Sequence, residues 1–248
     1  MTHPSSLGIQ LYSVRDDIGA ADLETTLKRL AAMGFTHAEP YRILDRTEQL
    51  GAALAAAGLR ATAAHANVTT SDRDAYFDAA SRLGLEYLIV PWTEPDALRS
   101  RAGVLAVAAA INDAARRAAD RGLRVGYHNH DFEFSQHVDG RPAYEILADA
   151  LDDAVVLEVD TFWASMGGAD VFELVPRLGS RVRFLHVTNE PPDDDDPPPL
   201  GPSVAGRMGE VALLGRPFVH MPVVEVVVHA GDVFPVLERN AAFFLGRS

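Results

Sequence analysis

Acidic and imidazole side chains stand where apolar runs stop throughout this chain. ThrHisAlaGluPro carries Glu39, ArgAlaThrAlaAlaHis ends on His65, LeuGluValAsp ends on Asp160 with Glu158 two residues before it, and PheLeuHis ends on His186. Glu225 interrupts ValValGluValValVal, and a denser group, HisAsnHisAspPheGlu, runs from His128 to Glu133. Gln10, Tyr12 and Trp92 also follow apolar segments. Buried charge without a partner is costly, and a divalent cation is the simplest single partner for several carboxylates at once. Such an ion can take two oxygens of a hydroxy-ketone and polarise its carbonyl. A carboxylate beside that carbonyl can then move a proton to or from the adjacent carbon, an isomerisation or epimerisation; loss of a β-hydroxyl instead is dehydration.

Chemistry of this kind needs elements that bring distant run ends together. Four times an alanine-rich amphipathic segment closes on glycine plus an apolar residue, at Gly34-Phe35, Gly58-Leu59, Gly84-Leu85 and Gly122-Leu123, and a β-rich run follows. This is the signature of a helix stop leading into a strand. Candidate strands cover 7–11, 36–40, 60–65, 86–91, 123–128, 155–160, 182–187 and 223–228; candidate helices cover 21–33, 45–57, 72–83, 103–121, 142–152, 168–178 and 232–246. Near-continuous apolar strands fit a parallel sheet buried on both faces. Eight such units predict a single-domain (β/α)8 TIM barrel over 1–248, with its chemistry at the carboxyl ends of the strands. An open doubly wound sheet fits less well, because no glycine-rich phosphate loop follows the first strand. The acidic, proline-rich stretch at about 190–202 reads as a solvated loop.

Composition narrows the function further. The chain has 248 residues, a formal charge of −13 and no cysteine. The last point excludes disulfides, thiolate metal sites and cysteine nucleophiles. So acidic a chain is a poor match to a nucleic-acid backbone. Neither a membrane-spanning apolar run nor a signal-like leader is visible, so a cytoplasmic protein with no membrane partner is expected.

At this point the residues resemble the xylose-isomerase-like TIM barrels of the sugar isomerase/epimerase group. GlyIleGlnLeuTyrSerValArgAsp (8–16), GlyTyrHisAsnHisAspPheGluPhe (126–134), LeuGluValAspThrPheTrpAla (157–164) and PheLeuHisVal (184–187) carry the likeness, which covers nearly the whole chain. The resemblance implies a divalent metal, manganese first, with magnesium, cobalt or zinc as alternatives, held by Glu133, Asp160, His186 and Glu225. It makes Glu133 and Glu225 the acid/base pair. It implies a small sugar or polyol ketone as substrate, and relatives often pair as homodimers or tetramers. His128 or His130 could instead take the fifth-strand ligand position, or both could bind substrate hydroxyls. Glu158, on the face of Asp160, reads as an interior carboxylate or a partner of the ligands. His65 and Glu39 are substrate-side candidates, Arg15 a candidate for an anionic or hydroxyl group or a surface ion pair, and Trp92 and Trp163 an apolar wall for a sugar face or packing. His3, His37, His137, His220 and His229 read as surface or structural.

The chain departs from this pattern in places. Trp163 stands where many relatives have a second histidine after the sixth-strand aspartate, Gly209-Glu210-Val211 replaces a Gly-Glu-Gly turn, and Val226-Val227 replaces a Gln-Asp pair. Three other readings compete: a dehydratase of an inosose-type ketone, a non-catalytic sugar-binding or partner barrel, and a zinc-dependent DNA-repair phosphodiesterase. The last is disfavoured by the acidic charge and the modest histidine set.

Overall fold

A computed structural model describes residues 6–20, 23–188, 210, 219–226 and 231–247. Eight strands line up as β1 (Gly8–Gln10), β2 (His37–Glu39), β3 (Ala63–His65), β4 (Tyr87–Val90), β5 (Arg124–His128), β6 (Val156–Asp160), β7 (Val182–Val187) and β8 (Met221–Val224). They form one sheet in the order β2-β1-β8-β7-β6-β5-β4-β3, and every pairing is parallel. Parallel bridges His37–Arg60 and Tyr41–His65 join the edge strands β2 and β3, so the sheet nearly closes into the (β/α)8 barrel.

Helices Leu23–Met33, Thr47–Ala57, Arg73–Leu83, Arg101–Ala119, Ala143–Ala150, Val171–Leu178 and Phe234–Leu245 match the expected segments. Two of them show why the glycine junctions work. Gly58 (φ 70°) and Gly84 (φ 69°) take the left-handed conformation, and the next N–H, of Leu59 or Leu85, reaches back to Leu54 or Ala80 at 3.0 Å. Both leucines are buried, which seals the helix end and aims the chain into the next strand.

β8 begins two residues earlier than the sequence reading and stops before Glu225. The cause is packing. Met221 and Val223 point inward with Phe184, Val156, Ala63, Tyr87 and Ile89 to form an apolar plug inside the barrel. A larger core fills the space between sheet and helices. The acidic stretch at 190–202, Gly209, Val211, Val227, His3 and His229 lie outside the described residues.

Candidate metal centre

Strand alternation puts every second side chain inside. Register then stacks a polar layer on the apolar plug. His128 pairs with Glu158, Asp160 with His186 and Val223 with His186, so Glu225 emerges just beyond β8 on the same side. The ligand atoms of His128, Asp160, His186 and Glu225 all lie within 4.8 Å of one another, and so do those of His65, His128, Glu158 and His186. All six residues are buried, as is Glu39.

His186 is the pivot of the layer. Its Nδ1 lies 2.7 Å from Glu225 Oε2 and 3.9 Å from Asp160 Oδ2, while its Nε2 lies 2.8 Å from Glu39 Oε2 and 3.1 Å from Glu158 Oε1. His65 Nε2 and His128 Nδ1 meet the same Glu158 oxygen at 2.7 and 3.2 Å. His128 Nε2 stands 4.0 Å from Glu225.

The strand-end turns hold these groups rigidly. Asp160 Oδ1 accepts the Trp163 N–H at 2.7 Å and caps the short helix Thr161–Met166. Asn129, which the sequence reading passed over, clamps β5 to β6. Its amide donates to the Asp160 carbonyl, and its oxygen accepts the Asp160 N–H, both at 3.1 Å. An amide flanked by two histidines was the available signal. Glu133 sits in another short helix, Phe132–Ser135, and is fully buried. Its oxygens accept from Tyr127 Oη and the His130 N–H, each at 2.8 Å, and it belongs to neither four-residue group. His128, at the end of β5, belongs to both groups.

Above the polar layer opens a cavity of about 600 Å³. Glu225, His65, His128 and His130 reach it, and Tyr12, Tyr41, Tyr76, Trp92, Phe132 and Trp163 make its walls. Trp92 is 43% exposed and sets its edge against His130 and Phe132. Arg15 is not among the cavity residues; its guanidinium covers the Tyr12 ring at 4.5 Å and donates to the Tyr12 carbonyl. Of the histidines read as structural, His37 is buried beside Thr36 Oγ1, and His137 and His220 are exposed.

Burial and like charge divide the protonation states. Burial and the Glu225 charge push Asp160 up to about 8. Burial would raise Glu225 too, but His186 outweighs it and brings Glu225 down to about 2. Burial lifts Glu133 to about 7, and burial plus the Glu158 charge does the same for Glu39. His128 and His130 are lowered by burial to about 4 and about 3, which keeps both imidazoles neutral.

A divalent cation fits this donor set. Glu39 Oε1 and Glu158 Oε2 are buried without a protein partner, an excess of acceptors over donors. Two carboxylates and two imidazoles converge beside the cavity, a set suited to manganese, magnesium or zinc rather than to a soft ion.

Fold and site together define a (β/α)8 barrel with a carboxylate–imidazole centre at the carboxyl ends of its strands. The chain belongs to the xylose isomerase-like TIM barrel family, whose model matches residues 27–225. Among solved structures it is similar to a sugar phosphate isomerase/epimerase from Parabacteroides distasonis, at 22% identity and a TM-score of 0.74, covering 98% of this chain and 94% of that one. A 3-keto-D-glucoside 4-epimerase from E. coli matches at 15% identity and a TM-score of 0.67, covering 97% and 99%. A xylose isomerase-like TIM barrel protein from Mycobacterium smegmatis in complex with magnesium matches at 15% identity and a TM-score of 0.61, covering 99% and 96%. At these identities the likeness shows the fold. No curated protein matched this chain. Among the described residues no helix is long and apolar enough to cross a membrane.

Proposed function

We propose that this chain is a divalent-metal-dependent isomerase or epimerase of a keto-sugar or related polyol. The observation that carries the reading is the convergence of His128, Asp160, His186 and Glu225, of which His128 and Glu225 line an aromatic-walled cavity. A bound cation, manganese or magnesium by its donors, would polarise the carbonyl of a hydroxy-ketone and so acidify the adjacent C–H.

The chain's own residues then divide the remaining work. Glu225, ionised beside His186, lines the cavity and serves as proton acceptor. Glu133, held near neutrality, is the proton-carrying partner, and it must release Tyr127 or the His130 amide to reach substrate. Carboxyl groups whose environments push their proton affinities apart are suited to opposite roles. His130, neutral and with a buried Nδ1 that has no protein partner, offers a hydrogen bond to a sugar hydroxyl. Trp92 and Trp163 supply faces for the C–H side of the ring.

Two measurements test this: elemental analysis of protein purified without chelator, and solvent-deuterium exchange into ketoses. About one ion per chain, lost in His186→Ala, with exchange abolished in Glu225→Gln and in Glu133→Gln, is the expected result. Exchange that persists in Glu225→Gln removes that residue from the chemistry. No ion in the parent and no manganese-induced stabilisation would point to a non-catalytic barrel. Water loss from an inosose in place of exchange would make the protein a dehydratase.

A further inference from the structure

The two four-residue groups share His128 and His186, and the carboxylates of the two groups lie against opposite ring nitrogens. On the side of the cavity-lining Glu225 stand His186 Nδ1, near Glu225 and Asp160, and His128 Nε2, near Glu225. Toward the barrel interior stand His186 Nε2 and His128 Nδ1, which both converge on Glu158 Oε1, at 3.1 and 3.2 Å. Two ions bound at once would each need both imidazoles, with every ring nitrogen deprotonated. The arrangement therefore favours one ion on the cavity side, with N–H donors on the interior side.

We propose that Glu158 is a positioning residue that selects the tautomer of two metal ligands at once, with Glu39 as its helper on His186; this rests on the metal-dependent reading above. Glu158 accepts the Nδ1–H of His128 and the Nε2–H of His186, which leaves His128 Nε2 and His186 Nδ1 with free lone pairs facing the cation. Glu39 Oε2, 2.8 Å from His186 Nε2, accepts the same hydrogen. His65 adds a third donor to Glu158 at 2.7 Å, and its ring stacks on that of His186, so neither ring can turn without breaking the hub. A carboxylate behind a metal-bound histidine fixes ring orientation and raises ligand basicity. Glu158 holds this place because it is two residues before Asp160 on one strand: β6 thus supplies both a ligand and the support for two others.

Manganese binding should be titrated into the parent, Glu158→Gln and Glu39→Gln, with cobalt visible spectra and imidazole nitrogen NMR of the zinc-loaded protein alongside. The parent is expected to bind one ion, with protons on His128 Nδ1 and His186 Nε2. Glu158→Gln should keep one ion per chain, bind it about ten- to a hundredfold more weakly and shift the cobalt bands. Glu39→Gln should weaken binding about tenfold or less and perturb only the His186 resonances, which decides the matter if the first variant fails to fold. Unchanged affinity and spectra in the variants that fold overturn the positioning role while leaving the metal centre standing. A second ion in the parent that disappears with Glu158→Gln also overturns it, because Glu158 would then be a ligand. If the parent binds no ion at all, the functional reading itself falls, and this assignment with it.

Discussion

Asp160 has two separable jobs, and a pair of substitutions tells them apart. Its Oδ1 caps the helix Thr161–Met166, while its carboxylate stands in the candidate ligand set. Asparagine caps a helix as well as aspartate does. Asp160→Asn is therefore expected to lose bound metal while the metal-free protein unfolds at nearly the parent temperature. Asp160→Ala should lose the metal and also about 0.5–2 kcal/mol of stability with the cap. Elemental analysis and thermal unfolding of the chelated proteins read the two effects. Protonation adds a pH signature. In the metal-free protein Asp160 is pushed up to about 8, and His186 is raised well above its ordinary value by Glu158 and Glu225 despite burial. A cation must expel those protons, so its affinity should rise as pH goes from 6 to 8, by up to about tenfold per proton released per unit. Manganese titrations at the two pH values check the sign; affinity that is flat or falling with pH excludes Asp160 and His186 as ligands.

At the scale of elements, the glycine-terminated helices and apolar strands were legible because each obeys a local rule. Helix Thr47–Ala57 closes on Gly58 and helix Arg73–Leu83 on Gly84, where the junction pattern placed them. Asp160, His186 and Glu225 stand out in the sequence because each breaks an apolar run, and the fold brings them together. The short helices after β5 and β6 were not, because four to six residues are too few to show a period. Their effect was hidden with them. In the helix Phe132–Ser135, Glu133 is bonded to Tyr127 and the His130 N–H and belongs to neither four-residue group, whereas His128, at the end of β5, belongs to both. Glu158 was visible as a face-mate of Asp160, but its three imidazole partners come from β3, β5 and β7, and no local pattern links them. Gly126, within the family-like stretch, has a packing reason of its own. A Cβ there would stand 2.6 Å from Ile89 Cδ1 and 2.8 Å from Val156 Cγ2. Gly126→Ala is thus expected to overpack the barrel interior, cost about 1–3 kcal/mol and displace β5, with weaker metal binding through His128. Denaturant unfolding and a manganese titration test both; unchanged stability would mean that the interior has slack the contacts do not show.

For the whole molecule, the decisive feature is where the negative charge lies. On the described surface, arginines pair with aspartates, as Arg121 does with Asp78 and Arg141 with Asp149. Exposed pairs of this kind contribute little to stability. Five carboxylates, Glu39, Glu133, Glu158, Asp160 and Glu225, are instead buried at one end of the barrel. There they share few positive partners, and Asp160 and Glu39 meet the mutual repulsion by holding their protons. A divalent cation bound there would replace those protons with a stronger partner, so the folded state should gain on loading what the unfolded chain cannot. At a hundredfold excess over the dissociation constant, such binding stabilises by about 2.7 kcal/mol, and in a chain of this size that raises the melting temperature by roughly 5–11 °C. The same gain should vanish on chelation and return with fresh manganese. It should also be smaller at pH 6 than at pH 8, since the site is protonated at the lower value. Calorimetry on chelated and reloaded protein at both pH values makes the comparison. An increase of equal size at both would place the stabilising ion on surface carboxylates already ionised at pH 6, and not in the barrel.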